Sequence, residues 1–170
     1  MCSSQIRRKF IISSLLFLSI CYKKVYSNQI ETKGSVTGLK IPRYVSIKKN
    51  KANIRRGPGT SYKIDWVYNL KGFPLQIFAE YGAWRKVKDY EGSTGWIHSK
   101  LLSGKRTIIF LNDETFLRNG PSLKSNKIAL INKDVVAEFV DCKTYWCKIR
   151  IDNKTGWVFI NSIWGIDDYY

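Results

Sequence analysis

The sequence predicts an all-β protein built from two small barrels in tandem. First, the stretch Asn-Ile-Arg-Arg-Gly-Pro-Gly at 53–59 returns as Phe-Leu-Arg-Asn-Gly-Pro-Ser at 116–122. Second, short segments rich in aromatic and β-branched residues alternate with Gly, Asn, Asp and Pro, which is typical of strands and turns. Third, no window carries the 3.6-residue periodicity of an amphipathic helix. Together these observations favour strands throughout.

The repeat spans two whole domains. Arg55 and Arg118 are 63 positions apart, whereas the later landmarks Trp96 and Trp157 are 61 apart. The second copy has therefore lost about two residues, which we assign to loops. Two copies of about 60 residues indicate tandem domains rather than a solenoid. Because a barrel of this size is marginally stable alone, we expect the two to pack together or to be cross-linked.

Residues 1–27 are predicted to be a cleaved signal peptide. A basic start at Arg7-Arg8-Lys9 precedes the apolar run from Phe10 to Cys21, and cleavage is expected before Asn28. The run is shorter than the roughly 20 residues that span a bilayer. An uncleaved anchor and twin-arginine export are the alternatives. The protein is therefore predicted to be periplasmic or secreted, with membrane contact only through an uncleaved signal.

The remaining chain divides into four parts. Residues 28–43, with Gly34 and Gly38, are predicted to be a flexible leader. Barrel one is expected at 44–104, barrel two at 105–165, and a tail at 166–170. The strands predicted in barrel one are Tyr44 to Ile47, Ala52 to Arg56, Ile64 to Leu70, Leu75 to Glu80, Trp84 to Lys88 and Gly95 to Ile97, with a single helical turn at Ser99 to Leu102.

A glycine within a strand marks the same place in each copy. Gly95 precedes Trp96, and Gly156 precedes Trp157. Such a glycine permits another backbone to approach closely, as a tightly curved barrel requires. Four tryptophans occupy matched positions, and at least two of them are expected in the cores: Trp84, Trp96, Trp146 and Trp157.

Cys142 and Cys147 are predicted to form a disulfide. They would be the only cysteines left after signal cleavage, and an even pair in an exported domain favours a bond. A metal site is the alternative, but two thiols without neighbouring histidines make a poor one. We expect no metal and no other cofactor.

The chain after the signal is strongly basic. It keeps 24 Lys and Arg against 13 acids, a net charge near +11. Such a surface favours polyanions and anionic envelope polymers, although a lysine-biased composition is an equal alternative. No run of five consecutive basic residues occurs, so a nucleic-acid-binding arm is not indicated.

The motifs resemble those of bacterial SH3 (SH3b) domains. Copy one supplies Asn53-Ile54-Arg55, the Gly57 to Tyr62 loop, Trp84 to Val87 and Thr94 to His98. Copy two departs from the pattern: it has Phe116 for Asn53, no counterpart of Tyr62, and Tyr145 where glycine is usual before Trp146. The resemblance implies small five- to six-stranded barrels that bind cell-wall or protein ligands in the bacterial envelope.

The sequence predicts binding rather than catalysis. His98 is the single histidine, and Phe159 replaces it in the second copy, which favours packing or ligand contact over general base chemistry. Arginine pairs with carboxylates through parallel hydrogen bonds, as the stem peptides of peptidoglycan would require. Arg55 and Arg118 could equally brace the loop after Gly-Pro. The candidate ligand-binding residues are Arg55, Arg56, Tyr62, Tyr68, Arg85, Tyr90, His98, Arg118 and Tyr145.

Three functions fit this sequence. The first is a non-enzymatic module that recognises peptidoglycan or its stem peptides. The second is a periplasmic scaffold that binds an envelope protein through one or both barrels. The third is polyanion binding through net charge, which would weaken sharply as salt is added.

Overall fold

The computed structural model describes residues 32–167, so the predicted signal segment lies outside the described residues. Two sheets of seven strands each follow a two-stranded hairpin. This confirms the all-β prediction. Within the described range, no helix is long and apolar enough to cross a bilayer.

Barrel one contains a meander of three strands between residues 74 and 98. The pairing of Arg55, in the first repeat motif, with Trp96 closes the barrel. The strand order is β5-β4-β8-β7-β6-β3-β9, all antiparallel neighbours. A single 3-10 turn lies at Ser99–Leu101, where one helical turn was predicted. The strands are β3 (Arg43–Ile47), β4 (Ala52–Arg55), β5 (Ile64–Tyr68), β6 (Pro74–Tyr81), β7 (Trp84–Lys88), β8 (Thr94–His98) and β9 (Leu102–Ser103).

Barrel two repeats this order as β12-β11-β15-β14-β13-β10-β16, with a 3-10 turn at Ile160–Ser162. The chain folds the same way twice because turns and apolar alternation recur at the same spacing. Its strands are β10 (Thr107–Phe110), β11 (Thr115–Arg118), β12 (Lys127–Ile131), β13 (Val136–Lys143), β14 (Trp146–Ile151), β15 (Lys154–Phe159) and β16 (Ile163–Trp164).

Each barrel has an aliphatic core. Ile54, Leu75 and Ile97 are fully buried in barrel one, and Leu117, Ile149 and Val158 in barrel two. The expectation that at least two of the four matched tryptophans are core residues is wrong. All four are half-buried. The interior of so small a barrel is filled by branched aliphatic side chains, which displaces the larger indole rings toward the rim.

The predicted flexible leader is a docked hairpin over residues 32–41. β1 (Thr32–Lys33) pairs with β2 (Lys40–Ile41), and the turn between them wraps the carboxylate of Glu80 on β6. Gly34 is buried there, and a Cβ atom on it would lie 2.4 Å from the Glu80 side chain. The glycine that suggested flexibility instead permits close approach to a buried charge.

The two barrels pack directly against each other along β10. All four residues of this strand are buried. Ile108 and Phe110 belong to the core of barrel two, whereas Ile109 between them belongs to the core of barrel one. Side-chain alternation along one strand therefore supplies both cores. The barrels therefore pack together, as expected, and the residues of β10 enter both cores.

Polar contacts fix the junction. The hydroxyl of Ser46 donates to the Lys105 carbonyl at 2.7 Å, and that of Thr107 donates to the Gly72 carbonyl at 2.6 Å. Both hydroxyl-bearing residues are buried. Tyr44 meets Trp164 edge to face, with ring centroids 5.0 Å apart. Buried and satisfied hydrogen bonds of this kind restrict the relative orientation of the barrels.

The predicted tail begins inside the core of barrel two. Ile166 is buried there, and Asp167 pairs with Arg106 at 3.2 Å. Tyr169 and Tyr170 lie beyond the described residues. The first residue of the predicted tail, Ile166, therefore packs against barrel two.

One buried cross-strand pair is linked by a different interaction in each barrel. Glu80 and Arg85 are opposite each other on β6 and β7, and Cys142 and Cys147 are opposite each other on β13 and β14. Both pairs are buried and 62 residues separate the equivalent members. Barrel one uses an ion pair, with Arg85 Nε 3.5 Å from Glu80 Oε1, and barrel two uses the predicted disulfide.

Reducing the disulfide is expected to lower the free energy of unfolding by about 2 kcal/mol. The cysteines are only five residues apart, so the closed loop is short and its entropic contribution is small. Urea unfolding with and without dithiothreitol measures the difference. A Cys142→Ser, Cys147→Ser double variant should show no response to the reductant, and an unchanged wild-type midpoint on reduction would contradict the prediction.

Candidate functional site

Each barrel carries a shallow groove at the same place. In barrel one it has a volume of about 350 Å³ and is lined by Asn53, Arg55, Thr60, Trp84, His98, Lys100 and Leu101. In barrel two the volume is about 290 Å³, and the lining includes Phe116, Arg118, Leu123, Trp146 and Phe159. Six lining positions of one groove are the repeat equivalents of six in the other, since Leu101 and Ser162 also correspond. The groove belongs to the barrel template.

The groove of barrel one combines an aromatic wall with cations. Trp84 and His98 are cross-strand neighbours on β7 and β8, and their rings meet edge to face at 5.2 Å. Arg55 and Lys100 lie along the same groove. Aromatic surface beside cationic donors suits a ligand that carries a carboxylate next to apolar groups.

The groove of barrel two is apolar at three positions that are polar in barrel one, although Asp113, Glu114 and Arg118 also line it. Phe116 replaces Asn53, and Leu123 replaces Thr60. Phe159 replaces His98. Its ring centroid lies 5.6 Å from that of Trp146 and 6.3 Å from that of Tyr145. Leu130 pairs with Phe116 across β11 and β12. We call this exposed set the barrel-two strip: Phe116, Leu123, Leu130, Tyr145 and Phe159, which are 37%, 75%, 52%, 63% and 38% exposed.

Arg55 and Arg118 brace the loops that follow them. One guanidinium nitrogen of Arg55 donates to the carbonyls of Thr60 and Tyr62 at 2.9 and 2.6 Å. Arg118 makes the same pair of bonds to Leu123 and Ser125. Both arginines therefore brace the loop after Gly-Pro, which the sequence offered as the alternative to ligand binding. Each arginine still lines its groove, so the loop brace also presents the guanidinium to a ligand.

Two other predicted arginines lie outside the grooves. Arg85 is buried, donates to the carbonyls of Gly82 and Trp84, and faces Glu80, so it is not presented to a surface ligand. The alternation of β7 turns it inward. Arg56 is exposed and forms a 2.5 Å ion pair with Asp65, which raises its pKa through the hydrogen bond.

The predicted tyrosines have internal partners. Burial raises the pKa of Tyr68, whose hydroxyl also donates to Asp89 at 2.6 Å. The hydroxyl of Tyr90 donates to Asp134 of barrel two at 2.8 Å, and this bond raises the pKa of Tyr90. Tyr62 is half exposed, with its ring over Gly57. These three residues stabilise loops and the junction rather than line a groove.

His98 has a local backbone partner. Its Nδ1 accepts the Lys100 amide at 3.2 Å and so caps the 3-10 turn. Within residues 32–167, no group of three or more His, Cys, Asp or Glu side chains could hold a metal ion.

Sequence reasoning missed Asn53, Thr60 and Lys100 as groove residues. Only the curvature of the barrel brings the β4 strand, its loop and the 3-10 turn to one place. One signal was available: most core positions stay apolar in both copies, so an exchange of polar for apolar residues favours an exposed position, although the buried Glu80 and Arg85, which cysteines replace, show the same exchange.

The paired barrels, each closed by a Gly-Trp strand and each bearing one groove, define a tandem SH3-like protein. The model of the bacterial SH3 domain family matches residues 48–104 and 112–165. The chain therefore belongs to the bacterial SH3 domain family, as the sequence motifs indicated.

One similar protein is an amidase by name. The chain is 28% identical over 123 residues to "Putative N-acetylmuramoyl-L-alanine amidase YrvJ" of Bacillus subtilis (strain 168); the match covers 66% of this chain and 24% of that protein. The chain thus spans about a quarter of that relative.

Solved structures give weaker matches. NlpC1 from Trichomonas vaginalis is 9% identical, with a TM-score of 0.34, over 72% of this chain and 45% of that chain. An NlpC/P60 family protein from Bacillus cereus ATCC 10987 is 15% identical, also with a TM-score of 0.34, over 71% and 55% of the two chains. Likenesses at this level assign no function.

Proposed function

We propose that this protein is an exported, non-catalytic module that binds peptidoglycan through stem peptides held in the groove of barrel one. The observation that carries the proposal is the arrangement of Arg55 and Lys100 beside the Trp84 and His98 rings. Stem peptides combine carboxylates with small apolar side chains, and this groove offers a complement to each.

Two further observations support an envelope role. The disulfide of barrel two is the kind of bond that persists in oxidising compartments outside the cytoplasm. The name of the Bacillus subtilis relative refers to a bond of the same polymer. The proposed location is accordingly periplasmic or secreted.

Reversing the charge of the barrel-one groove tests the proposal. Lys100→Glu is expected to weaken retention on purified wall sacculi about tenfold, or about 1.4 kcal/mol, because a carboxylate ligand would meet a like charge. The matched control is Lys124→Glu, which makes the same change in charge at an exposed position of barrel two. Equal retention of the two variants, or recovery of wild type in the supernatant at moderate salt, would overturn it.

The barrel-two strip favours a second candidate function, docking to an envelope protein. Its five residues are apolar and exposed, whereas the equivalent barrel-one positions hold Asn53, Thr60, Val67, Ala83 and His98. An exposed apolar patch with aromatic members is typical of protein interaction surfaces. The same fold therefore presents two chemically different faces.

Substituting the strip with barrel-one residues tests this second candidate. Cell crosslinking and mass spectrometry should give one dominant protein partner for the wild type, and Leu123→Thr with Phe159→His should reduce its yield at least fivefold. Leu70→Thr, an exposed leucine of barrel one, is the control. Finding no dominant partner would rule the candidate out.

A further inference from the structure

A cleft lies at the junction of the two barrels and shares no lining residue with either groove. It has a volume of about 360 Å³ and takes its walls from both barrels. Ser46, Lys48 and Lys71 come from barrel one, and Val136, Glu138 and Arg150 come from barrel two. Ligand sites are found preferentially at such junctions, and neither barrel forms this cleft alone.

The charges around the cleft are unevenly paired. Glu138 accepts from Lys105 at 3.0 Å and lies 3.6 Å from Arg150, so its charge is compensated. The ammonium groups of Lys48 and Lys71 make no ion pair or side-chain hydrogen bond within residues 32–167. Asp152 also lines the cleft. Four cations against two carboxylates leave an excess of positive charge facing the cleft.

The backbone that carries these lysines is held firmly. Lys48 donates its amide to the Leu101 carbonyl at 2.7 Å, and the Gly72 carbonyl next to Lys71 accepts from the buried Thr107 hydroxyl. Gly72 has a φ of +85°, a backbone conformation that favours glycine. A site whose supporting backbone is fixed loses little entropy when a ligand binds.

The floor of the cleft includes apolar residues. Ile47, Val136 and Ile151 line the cleft, and the buried Ser46 and Thr107 beside them have their hydroxyls bonded to backbone carbonyls. A strongly hydrated phosphate polymer would gain nothing from such a floor, whereas a carboxylate attached to small aliphatic groups would contact both the floor and the lysines.

We propose that the cleft between the barrels binds a peptide C-terminal carboxylate, with the carboxylate between Lys48 and Lys71 and small aliphatic side chains on the apolar floor. This second site is separate from the barrel-one groove and does not depend on it. It gives the tandem arrangement a binding surface that a single barrel lacks.

Titration of the full chain with acetyl-Ala-Ala tests the proposal by NMR or calorimetry. Lys48→Gln with Lys71→Gln should weaken binding at least tenfold. The control, Lys63→Gln with Lys124→Gln, removes the same charge from loops outside the cleft and should change affinity less than twofold. The amidated peptide should bind at least tenfold more weakly than the free acid. Repeating the titrations on Lys100→Glu, in which the barrel-one groove is weakened, should give the same loss from the cleft variants.

Three results would overturn the assignment. Equal binding of the acid and amide would remove the role of the carboxylate. Equal loss in the cleft and control variants would reduce the effect to net charge. Inorganic phosphate that binds as tightly as the peptide and displaces it would show a general anion site without use of the apolar floor.

Discussion

Glu80→Ala is expected to lower the free energy of unfolding by about 3–5 kcal/mol, the range for removing one partner of a buried ion pair. The Glu80 side chain is fully buried, and Arg43 donates to it at 2.8 Å with Arg85 also facing it. Removing the carboxylate leaves two guanidinium groups in the interior without their counter-charge. Chemical unfolding of wild type and variant at neutral pH measures the loss.

The same substitution should release the leader hairpin. Glu80 accepts the amides of Val36 and Thr37 at 3.0 and 2.8 Å and the Thr37 hydroxyl at 2.7 Å. Hydrogen exchange at these two amides should therefore accelerate in Glu80→Ala. Glu91→Ala, at an exposed position on barrel one, is the control and should change neither stability nor exchange by much.

The Glu80 contribution should depend on pH. Burial alone would raise the pKa of Glu80, but the hydrogen bonds from Thr37 and Arg43 outweigh it and lower the pKa to about 2. A folded pKa below the unfolded value means that stability is fully present above about pH 4.5 and is lost as the pH falls toward 2. Wild type should lose more stability than Glu80→Gln across that window, and parallel curves would contradict the assignment.

Gly156→Ala is expected to destabilise barrel two by about 3 kcal/mol, at the upper end of the usual cost of overpacking. A Cβ atom at this position would lie 2.6 Å from the Arg118 carbonyl oxygen and 2.7 Å from Leu117 Cγ. The obstacle is a backbone atom of β11, which cannot move without breaking the closure of the barrel where Arg118 pairs with Trp157.

Gly104→Ala provides the matched control. A Cβ atom there meets nothing within 4 Å, and the residue lies in the connection between the barrels. Its free energy of unfolding should stay within about 0.5 kcal/mol of that of the wild type. If Gly156→Ala unfolds at the same urea concentration as Gly104→Ala, the close approach of β15 to β11 does not constrain the fold.

The repeat made most of the fold predictable. Gly-Pro and Gly-Trp motifs recur with a nearly constant spacing, and each has a local physical meaning: a stop to a strand and a close crossing of strands. The half-buried tryptophans were not predictable in this way. Whether an indole ring fills a barrel or lies at its rim depends on the space left by branched aliphatic residues from six different strands.

The candidate sites were only partly predictable. Arg55, Arg118 and His98, which the sequence proposed as ligand-binding residues, line the two grooves, and their ligand role stays a prediction. Arg85 lines neither groove, because it lies inward and faces the buried Glu80. Lys100 was missed because only the 3-10 turn after β8 brings it beside Trp84.

The sequence alone determined that the chain holds two copies of a small β-barrel and that Cys142 and Cys147 lie close enough along the chain to pair. These properties rest on local patterns: alternation, turn residues and short spacing. The tertiary structure decided that β10 serves both cores, that the leader closes over Glu80, and that a cleft opens between the barrels. Each of these depends on atoms far apart in the chain meeting at ångström distances, which residue order does not specify.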